Sequence, residues 1–123
     1  MKTISVEIAG EKRILCYSLR VIKAIEARFG SETDMRAQLT SGSTGNVVDI
    51  TCWLMSQLMI GGKGYADKMH LACPDPLSPE DMLDLYDVGD LLEMQSTIQN
   101  ALAAGSQQEV EATGKNAEAT PGE

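Results

Sequence analysis

The sequence predicts an α+β domain in which an N-terminal β-hairpin precedes a mostly α-helical region of four or five helices, followed by a disordered C-terminal tail. Residues 3–17 alternate apolar and polar side chains around a glycine-containing turn, as two paired strands do. Residues 18–105 carry apolar side chains at the three-to-four spacing of helices. Residues 106–123 hold almost no apolar side chains, so they have too little to bury in a core.

The hairpin is predicted from Ile4, Val6 and Ile8, which share one face of the first strand. Residues 9–12 supply the turn, where Gly10 is free to take a positive φ. The second strand covers residues 13–17. Because an isolated hairpin is marginally stable in water, we expect helices to cover its apolar face.

The first helix is predicted to follow Ser18 as its N-cap and to run to about Arg28. Its buried stripe is expected to contain the apolar residues that recur every three or four positions: Leu19, Ile22, Ile25 and Phe29. Gly30 fits the left-handed position just after a helix end. A short helix is expected over residues 35–39, followed by a polar loop over residues 40–46.

The most apolar segment, residues 47–59, predicts a helix that is buried on nearly two sides. The run Gly61-Gly62-Lys63-Gly64 is predicted to end that helix. Ser78 as N-cap and Pro79 at the first helical position predict another helix start. A set of apolar residues on the last two helices is expected to face the core: Met82, Leu85, Leu91, Leu92, Ile98 and Leu102. The last helix is predicted to end at Gly105, which gives one hairpin-plus-helix domain over residues 1–105 and a disordered acidic tail over residues 106–123.

The composition argues against several classes of protein. Ten Lys and Arg against eighteen Asp and Glu give a net charge of −8, which disfavours nucleic acid as a partner. The N-terminus lacks the continuous apolar run of a secretory signal, and the longest apolar stretch, residues 47–60, is shorter than the roughly 20 residues that cross a bilayer. Three cysteines at irregular spacing indicate reduced thiols. We therefore expect a cytoplasmic protein with no membrane partner.

His70 and Cys73 are the one local pair of residues that suggests chemistry. Their spacing is that of half a zinc site, but zinc takes three or four protein ligands and no second pair accompanies them. The same pair lacks a recognisable third group or oxyanion hole for nucleophilic catalysis. The sequence therefore predicts no metal, no cofactor and no catalytic residue. A small enzyme or regulatory domain that uses His70 and Cys73 is the least favoured alternative.

A binding surface is the alternative to catalysis. The chain has seven methionines and one tryptophan, and flexible methionine side chains suit adaptable binding surfaces. The apolar helix is interpreted either as a core helix or as one that also presents Trp53 and its neighbours to a partner. The predicted contact surface comprises Trp53, Met55, Met59 and Tyr65. The acidic residues between Glu80 and Glu93 are expected to form a solvated face that could dock a basic partner.

The order of segments carries a family resemblance. The hairpin TISVEIAGEKRILCYSL is followed by IKAIEARFGS, by the apolar helix VVDITCWLMSQLMIGG, by LSPEDMLDLYDVGDLLEMQSTIQNALAAG and by an acidic low-complexity tail. In this layout, over residues 1–105, the chain resembles the tail assembly chaperones of long-tailed phages and prophages. Those proteins begin with a small hairpin and continue as a helical domain.

The resemblance implies a protein of the bacterial host cytosol that acts in phage tail assembly and is absent from the virion. It implies that the chain binds the tape-measure protein along its helical length and releases it as tail-tube subunits polymerise. The tail-tube protein is a second candidate partner, and self-association is left open. No nucleotide or metal cofactor is implied. The alternative is a virion structural protein, such as a minor tail or head–tail connector component.

Overall fold

The computed structural model describes residues 2–106. Two antiparallel strands, β1 (Thr3–Ile8) and β2 (Glu11–Cys16), precede five helices. The helices are α1 (Leu19–Phe29), α2 (Glu32–Ser41), α3 (Thr44–Lys68), α4 (Pro79–Leu85) and α5 (Val88–Ser106). The predicted fold class, a hairpin followed by a mostly helical region, is confirmed. The predicted tail lies outside the described residues except for Ser106, which is the last residue of α5.

The hairpin turns through two residues. The register pairs Thr3 with Cys16 and Ile8 with Glu11, which leaves Ala9 and Gly10 as the loop. Both have positive φ, 55° and 80°, the arrangement whose twist matches that of the flanking strands. The prediction that Gly10 takes a positive φ is confirmed.

Helix α3 is the central element, because it packs against β2 and against the four other helices. The prediction that the glycine run ends this helix is wrong, since α3 continues to Lys68. Gly61 and Gly62 are buried where α3 crosses β2. A Cβ on either glycine would overlap a backbone carbonyl oxygen of β2, that of Cys16 or of Ile14. The glycines therefore provide a close helix–strand approach inside the helix.

Side-chain caps mark where α2, α3 and α4 begin. Ser31 Oγ accepts a hydrogen bond from the Asp34 amide at 3.0 Å and starts α2, three residues before the predicted start. Ser43 Oγ accepts from the Asn46 amide at 3.3 Å and starts α3. The polar loop predicted over residues 40–46 is therefore wrong, because helix occupies all but residues 42 and 43 of it. The predicted start of α4 is confirmed, since Ser78 forms a capping box there and Pro79 is its first residue.

The core contains side chains from both strands and all five helices, and its fully buried members include Leu15, Val21, Ile25, Met35, Ile50, Leu54, Leu58, Met82, Ile98 and Leu102. Three leucines that were predicted to be buried are exposed: Leu19, Leu85 and Leu92. In α1 the core-facing pair is Val21 and Ile25, and Leu19 lies two positions before it, on the opposite side of the helix. Leu92 bears the same relation to buried Met94 in α5.

A buried arginine ties the segment between α3 and α4 to the hairpin. Arg13, 4% exposed, donates from Nε to the Ile8 carbonyl oxygen at 3.2 Å and from Nη1 to the Asp75 carbonyl oxygen. Ser56 of α3 donates to the Leu77 carbonyl oxygen at 2.8 Å. These bonds hold residues 69–78 against the domain without regular secondary structure.

A second polar network joins the end of β2 to two helices. The Tyr17 hydroxyl donates to a Glu32 carboxylate oxygen. Arg36 donates from Nε to the other Glu32 carboxylate oxygen at 2.8 Å and from Nη1 to Gln99 Oε1 at 2.7 Å. The network therefore links the first turn of α2 to α5. Among residues 2–106, no helix has both the length and the hydropathy required to cross a bilayer.

Candidate functional site

The structure separates the four residues that were predicted to form a contact surface. Met55 and Met59 are 3% and 2% exposed and belong to the core cluster. The prediction that they face a partner is wrong, because the side of α3 that carries them is the side covered by the rest of the domain. Their flexible side chains fill the space between packed elements instead.

Trp53 is half-buried at the side of α3, where α1 holds its ring in place. Its ring meets the Phe29 ring edge to face, with centroids 5.6 Å apart and an interplanar angle of 76°. Arg28 Cζ lies 4.9 Å from the Trp53 ring centroid, within the range of a cation–π contact. Tyr65 is half-buried roughly 18 Å further along the helix axis. The structure therefore does not bring Tyr65 together with Trp53.

An apolar groove opens where α3, α4 and α5 meet, and we call it the α3–α4–α5 groove. Its volume is about 260 Å³. Its lining contains one charged residue among apolar and aromatic ones: Val48, Cys52, Met82, Leu83, Tyr86, Asp87, Val88, Leu91 and Met94. Such an apolar concave lining is typical of a binding site.

A smaller depression adjoins this groove and brings in Trp53. It has a volume of about 200 Å³, and its lining is Arg28, Asp49, Cys52, Trp53, Pro79, Glu80 and Leu83. Cys52 and Leu83 line both spaces, so the two are neighbours along the boundary between α3 and α4. We call this second space the Trp53 depression. Of the predicted contact residues, Trp53 is the one that lies on this open surface.

The groove has a buried floor and exposed walls. Cys52, Met82 and Met94 form the floor and are buried. Leu83 and Val88 form the walls and are 42% and 81% exposed. Isolated exposed apolar side chains are ordinary on protein surfaces, but Leu83 and Val88 flank one concave apolar space. Together they provide apolar area that a partner could cover.

A sharp break between α4 and α5 creates the space. Tyr86 follows α4 in an extended conformation, with φ −125° and ψ 150°. A new capping arrangement begins one residue later, where the Asp87 carboxylate accepts from the Asp90 amide and the Asp90 carboxylate accepts from the Asp87 amide, at 3.2 and 3.0 Å. The extended Tyr86 and the Asp87–Asp90 cap therefore separate α4 from α5, and residues of both helices line the groove.

The groove lies in the acidic part of the chain. Between residues 69 and 106 the sequence contains Asp and Glu but no Lys or Arg. Asp87 lines the groove, and Asp49 and Glu80 line the Trp53 depression. Within residues 2–106, Asp49, Glu80 and Asp84 have no ion pair or side-chain hydrogen bond. Asp49, Glu80 and Asp87, which we call the acidic rim, therefore place negative charge beside apolar area, and Arg28 is the one basic residue in the two linings.

The ionisable groups inside the groove are held in their neutral forms. Burial, and secondarily the negative charge of Asp49, raise the pKa of the Cys52 thiol. Burial is also the main cause that raises the pKa of the Tyr86 phenol, with the nearby charges of Asp90 and Glu93 acting in the same direction. At neutral pH the groove interior is consequently uncharged except at Asp87. The groove can offer apolar contact, but it offers no thiolate nucleophile.

Two larger depressions have more strongly charged linings, and the first of them shares Tyr86 and Met94 with the groove. One, of about 510 Å³, lies between β1 and α5 and is lined by Glu7, Asp90 and Glu93 among other residues. The other, of about 640 Å³, lies between α1 and α3 and is lined by Arg20 and Lys23 with exposed Leu19. The α3–α4–α5 groove is the more apolar surface, which makes it the stronger candidate for a protein contact.

His70 and Cys73 do not form an organised site. His70 is exposed beyond the end of α3, with a positive φ of 60°. Cys73 is half-buried, and its carbonyl oxygen accepts a hydrogen bond from Lys63 Nζ at 3.0 Å. Among residues 2–106, no group of three or more His, Cys, Asp or Glu side chains is placed to hold a metal ion.

The sequence did not assign Leu83, Val88 or Leu91 to a binding surface, and Leu91 was expected to face the core. Their surface position could have been inferred from the number of apolar residues between positions 82 and 94. That number is larger than one buried helical stripe can contain. Met82, Met94 and Ile98 occupy the core there. The remaining apolar residues are therefore left on the surface.

Comparisons of the chain with protein-family models, with curated proteins and with solved structures found no match.

Proposed function

We propose that this protein is a tail assembly chaperone of a long-tailed phage or prophage, which binds the tape-measure protein in the host cytoplasm while the tail is built. The proposal draws on the resemblance in segment order, and on the hairpin-plus-helices architecture of residues 2–106. The single observation that carries it is the open apolar groove, whose walls Leu83 and Val88 are exposed. A helical partner is a suitable occupant of such a groove.

The groove is better suited to binding than to catalysis. Its lining supplies apolar side chains, and burial raises the pKa of both Cys52 and Tyr86, so neither acts as a ready base or nucleophile at neutral pH. What the groove can provide is the burial of apolar surface. That is the driving force by which a chaperone keeps an apolar helix in solution.

The size of the groove favours reversible binding. Fully burying an exposed leucine or valine side chain contributes about 1.5–3 kcal/mol. Leu83 is 42% and Val88 81% exposed, so covering their exposed parts contributes roughly 2–4 kcal/mol in total. Association costs of several kcal/mol oppose this gain. The contact is therefore weak for each helical segment, which suits a protein that must release its client when tail-tube subunits assemble.

Co-expression with the tape-measure protein tests the proposal. We expect the tape-measure protein to stay soluble and to co-purify with this chain, and we expect the double variant Leu83→Ser/Val88→Ser to lose both effects. Leu19→Ser is the matched control, because Leu19 is 78% exposed but lies on α1, away from the groove. The proposal is wrong if the wild-type chain leaves the tape-measure protein insoluble and unbound.

The composition of purified phage particles provides a separate test. A tail assembly chaperone is expected to be absent from mature particles, whereas a minor tail or head–tail connector component would be present in stoichiometric amounts. Mass spectrometry of purified particles distinguishes the two. Detection of this chain at the level of known tail proteins would replace the chaperone proposal with the structural one.

A further inference from the structure

We propose that the α3–α4–α5 groove accepts a basic amphipathic helix, whose apolar stripe enters the groove while its Lys and Arg side chains face the acidic rim. The inference rests on the proposed function for the identity of the partner protein, and it adds the chemistry that selects the segment bound. It predicts that among the helical segments of a long client, those with basic flanks are held and those with acidic flanks are not.

The apolar part of the argument is the spacing of the groove residues. Val48 and Cys52 are one turn apart on α3, and Val88 and Leu91 are one turn apart on α5. Apolar side chains thus face the same space from two helices, with Leu83 of α4 at one edge. Side chains spaced at i, i+3 and i+4 on an incoming helix match a space bounded in this way.

The charged part of the argument is that acidic residues lie where the groove meets the Trp53 depression. Asp49 comes from α3 and Glu80 from α4, and both are exposed and without an ion-pair partner among residues 2–106. Asp87 lines the groove itself, although its carboxylate also caps α5. Lys or Arg flanking the apolar stripe of a helix would pair with these carboxylates, while Asp or Glu would be repelled.

Helices α4 and α5 carry no basic residue, and the two on α3, Lys63 and Lys68, lie more than ten positions beyond the groove residue Cys52. Helix α1 carries Arg20, Lys23 and Arg28, and Arg28 is the basic residue that lines the Trp53 depression. The Arg28 guanidinium lies over the rings of Phe29 and Trp53, and it forms no ion pair with Asp49 or Glu80 among residues 2–106. The segregation leaves the groove rim acidic along α4 and the start of α5, which gives the surface a preference for one sign of charge.

Synthetic helices test the preference directly on the full chain. Three tryptophan-free peptides of about 18 residues would share one leucine stripe and differ in their flanking residues, which are Lys, Glu or Gln. Trp53 is the sole tryptophan and borders the groove, so its fluorescence reports occupancy. We expect the Lys peptide to bind at least about tenfold more tightly than the Glu peptide, with the Gln peptide between them. We also expect the difference to shrink as salt is added.

Rim variants assign the effect to the groove. Asp49→Lys/Glu80→Lys is expected to weaken binding of the Lys peptide by about tenfold or more and to strengthen binding of the Glu peptide. Glu26→Lys/Asp34→Lys makes the same change of net charge at exposed positions that line neither the groove nor the Trp53 depression, and it should leave the Lys preference nearly unaltered. Circular dichroism confirms that each variant is folded. Equal binding of all three peptides, no binding of any, or an equal response to both double variants would overturn the inference.

The outcomes separate this inference from the proposed function. If Lys-flanked peptides bind and the tape-measure protein does not, the groove preference stands and the chaperone proposal fails. If the tape-measure protein binds equally well to wild type and to Leu83→Ser/Val88→Ser, the chaperone proposal stands and the groove is not the site. Competition between the Lys peptide and the tape-measure protein would support both.

Discussion

The Cα of Gly62 lies so close to the Ile14 carbonyl that a Cβ at position 62 would overlap both the carbonyl oxygen and the carbonyl carbon. This contact sets how near the central helix α3 comes to strand β2. Gly61 makes the same kind of approach to the Cys16 carbonyl oxygen. The helix tolerates two glycines, each costing about 1 kcal/mol relative to alanine, because the strand backbone occupies the space that side chains would need.

Substitution of Gly62 should therefore destabilise the domain, although alanine normally favours a helix. We expect Gly62→Ala to lower the free energy of unfolding by roughly 3 kcal/mol or more, since backbone atoms must move to relieve the overlap. Gly64→Ala is the matched control, because no atom lies within 4 Å of a Cβ placed there. That variant should gain about 0.5–1 kcal/mol. Urea denaturation of both measures the contrast, and similar effects from the two variants would contradict the close approach.

The buried arginine supports a second prediction. Arg13→Met keeps much of the side-chain volume but removes the donors to the Ile8 and Asp75 carbonyl oxygens. We expect a loss of roughly 3 kcal/mol in the free energy of unfolding, together with faster amide exchange in residues 69–78. Arg20→Met is the control, because Arg20 is exposed and makes no hydrogen bond or ion pair within residues 2–106. Unchanged exchange in that segment would show that Arg13 does not anchor it.

The pair Tyr17 and Glu32 predicts a pH dependence of stability. The Tyr17 hydrogen bond, assisted by Arg36, lowers the pKa of the Glu32 carboxyl below its ordinary value of 4.5. Burial, and then the hydrogen bond to Glu32, raise the pKa of the Tyr17 phenol. Because the folded-state pKa of Glu32 lies below the unfolded one, its stabilising contribution is present above pH 4.5 and is lost as the pH falls through the folded-state value.

Glu32→Gln measures that contribution. Compared with wild type, the variant should be less stable near neutral pH, and the difference in the free energy of unfolding should shrink as the pH is lowered below 4.5. Tyr17→Phe should show the same trend with a smaller amplitude, because Arg36 still pairs with Glu32 at 2.8 Å. Asp84→Asn, which alters an exposed carboxylate without such partners, serves as the control. A stability difference that is constant with pH would refute the assignment.

The burial of Met59 in the core supports a fourth prediction. Met59→Lys places a charge at a position that is 2% exposed, so we expect it to destabilise the domain by several kcal/mol or to prevent folding. Leu83→Lys introduces the same charge at the exposed groove wall and should change the free energy of unfolding by less than about 1 kcal/mol. Circular dichroism and urea denaturation compare them. A folded, stable Met59→Lys protein would mean that this face of α3 is open after all.

Much of the fold could be predicted because its signals are local. The alternation of Ile4, Val6 and Ile8 predicts the first strand, and Ser78 with Pro79 predicts the start of α4; the structure confirms both. Gly30 has the predicted positive φ, 93°. Each of these features depends on residues within a few positions of one another. Backbone preferences and capping hydrogen bonds at that range do not require knowledge of the rest of the domain.

The candidate site was predicted less well because burial is not local. Trp53, Met55 and Met59 lie close together on one helix, and all three are large apolar residues that suit a binding surface. In the structure the two methionines face the core, whereas Trp53 borders an open space. Helix periodicity shows that residues share a face, but it does not show which face the other elements cover. The same ambiguity explains why Leu85 and Leu92 were expected to be buried.

The sequence alone determined the fold class, the order of the elements and the acidic character of the segment that carries α4 and α5, since these follow from periodicity, caps and composition. Only the tertiary structure decided that α3 continues past Gly61 and Gly62, where it packs against β2, and that an apolar groove opens beside Leu83 and Val88. The physical reason is that both depend on contacts between residues distant in the chain. A glycine can break a helix or admit a neighbouring backbone, and what packs against it determines which occurs.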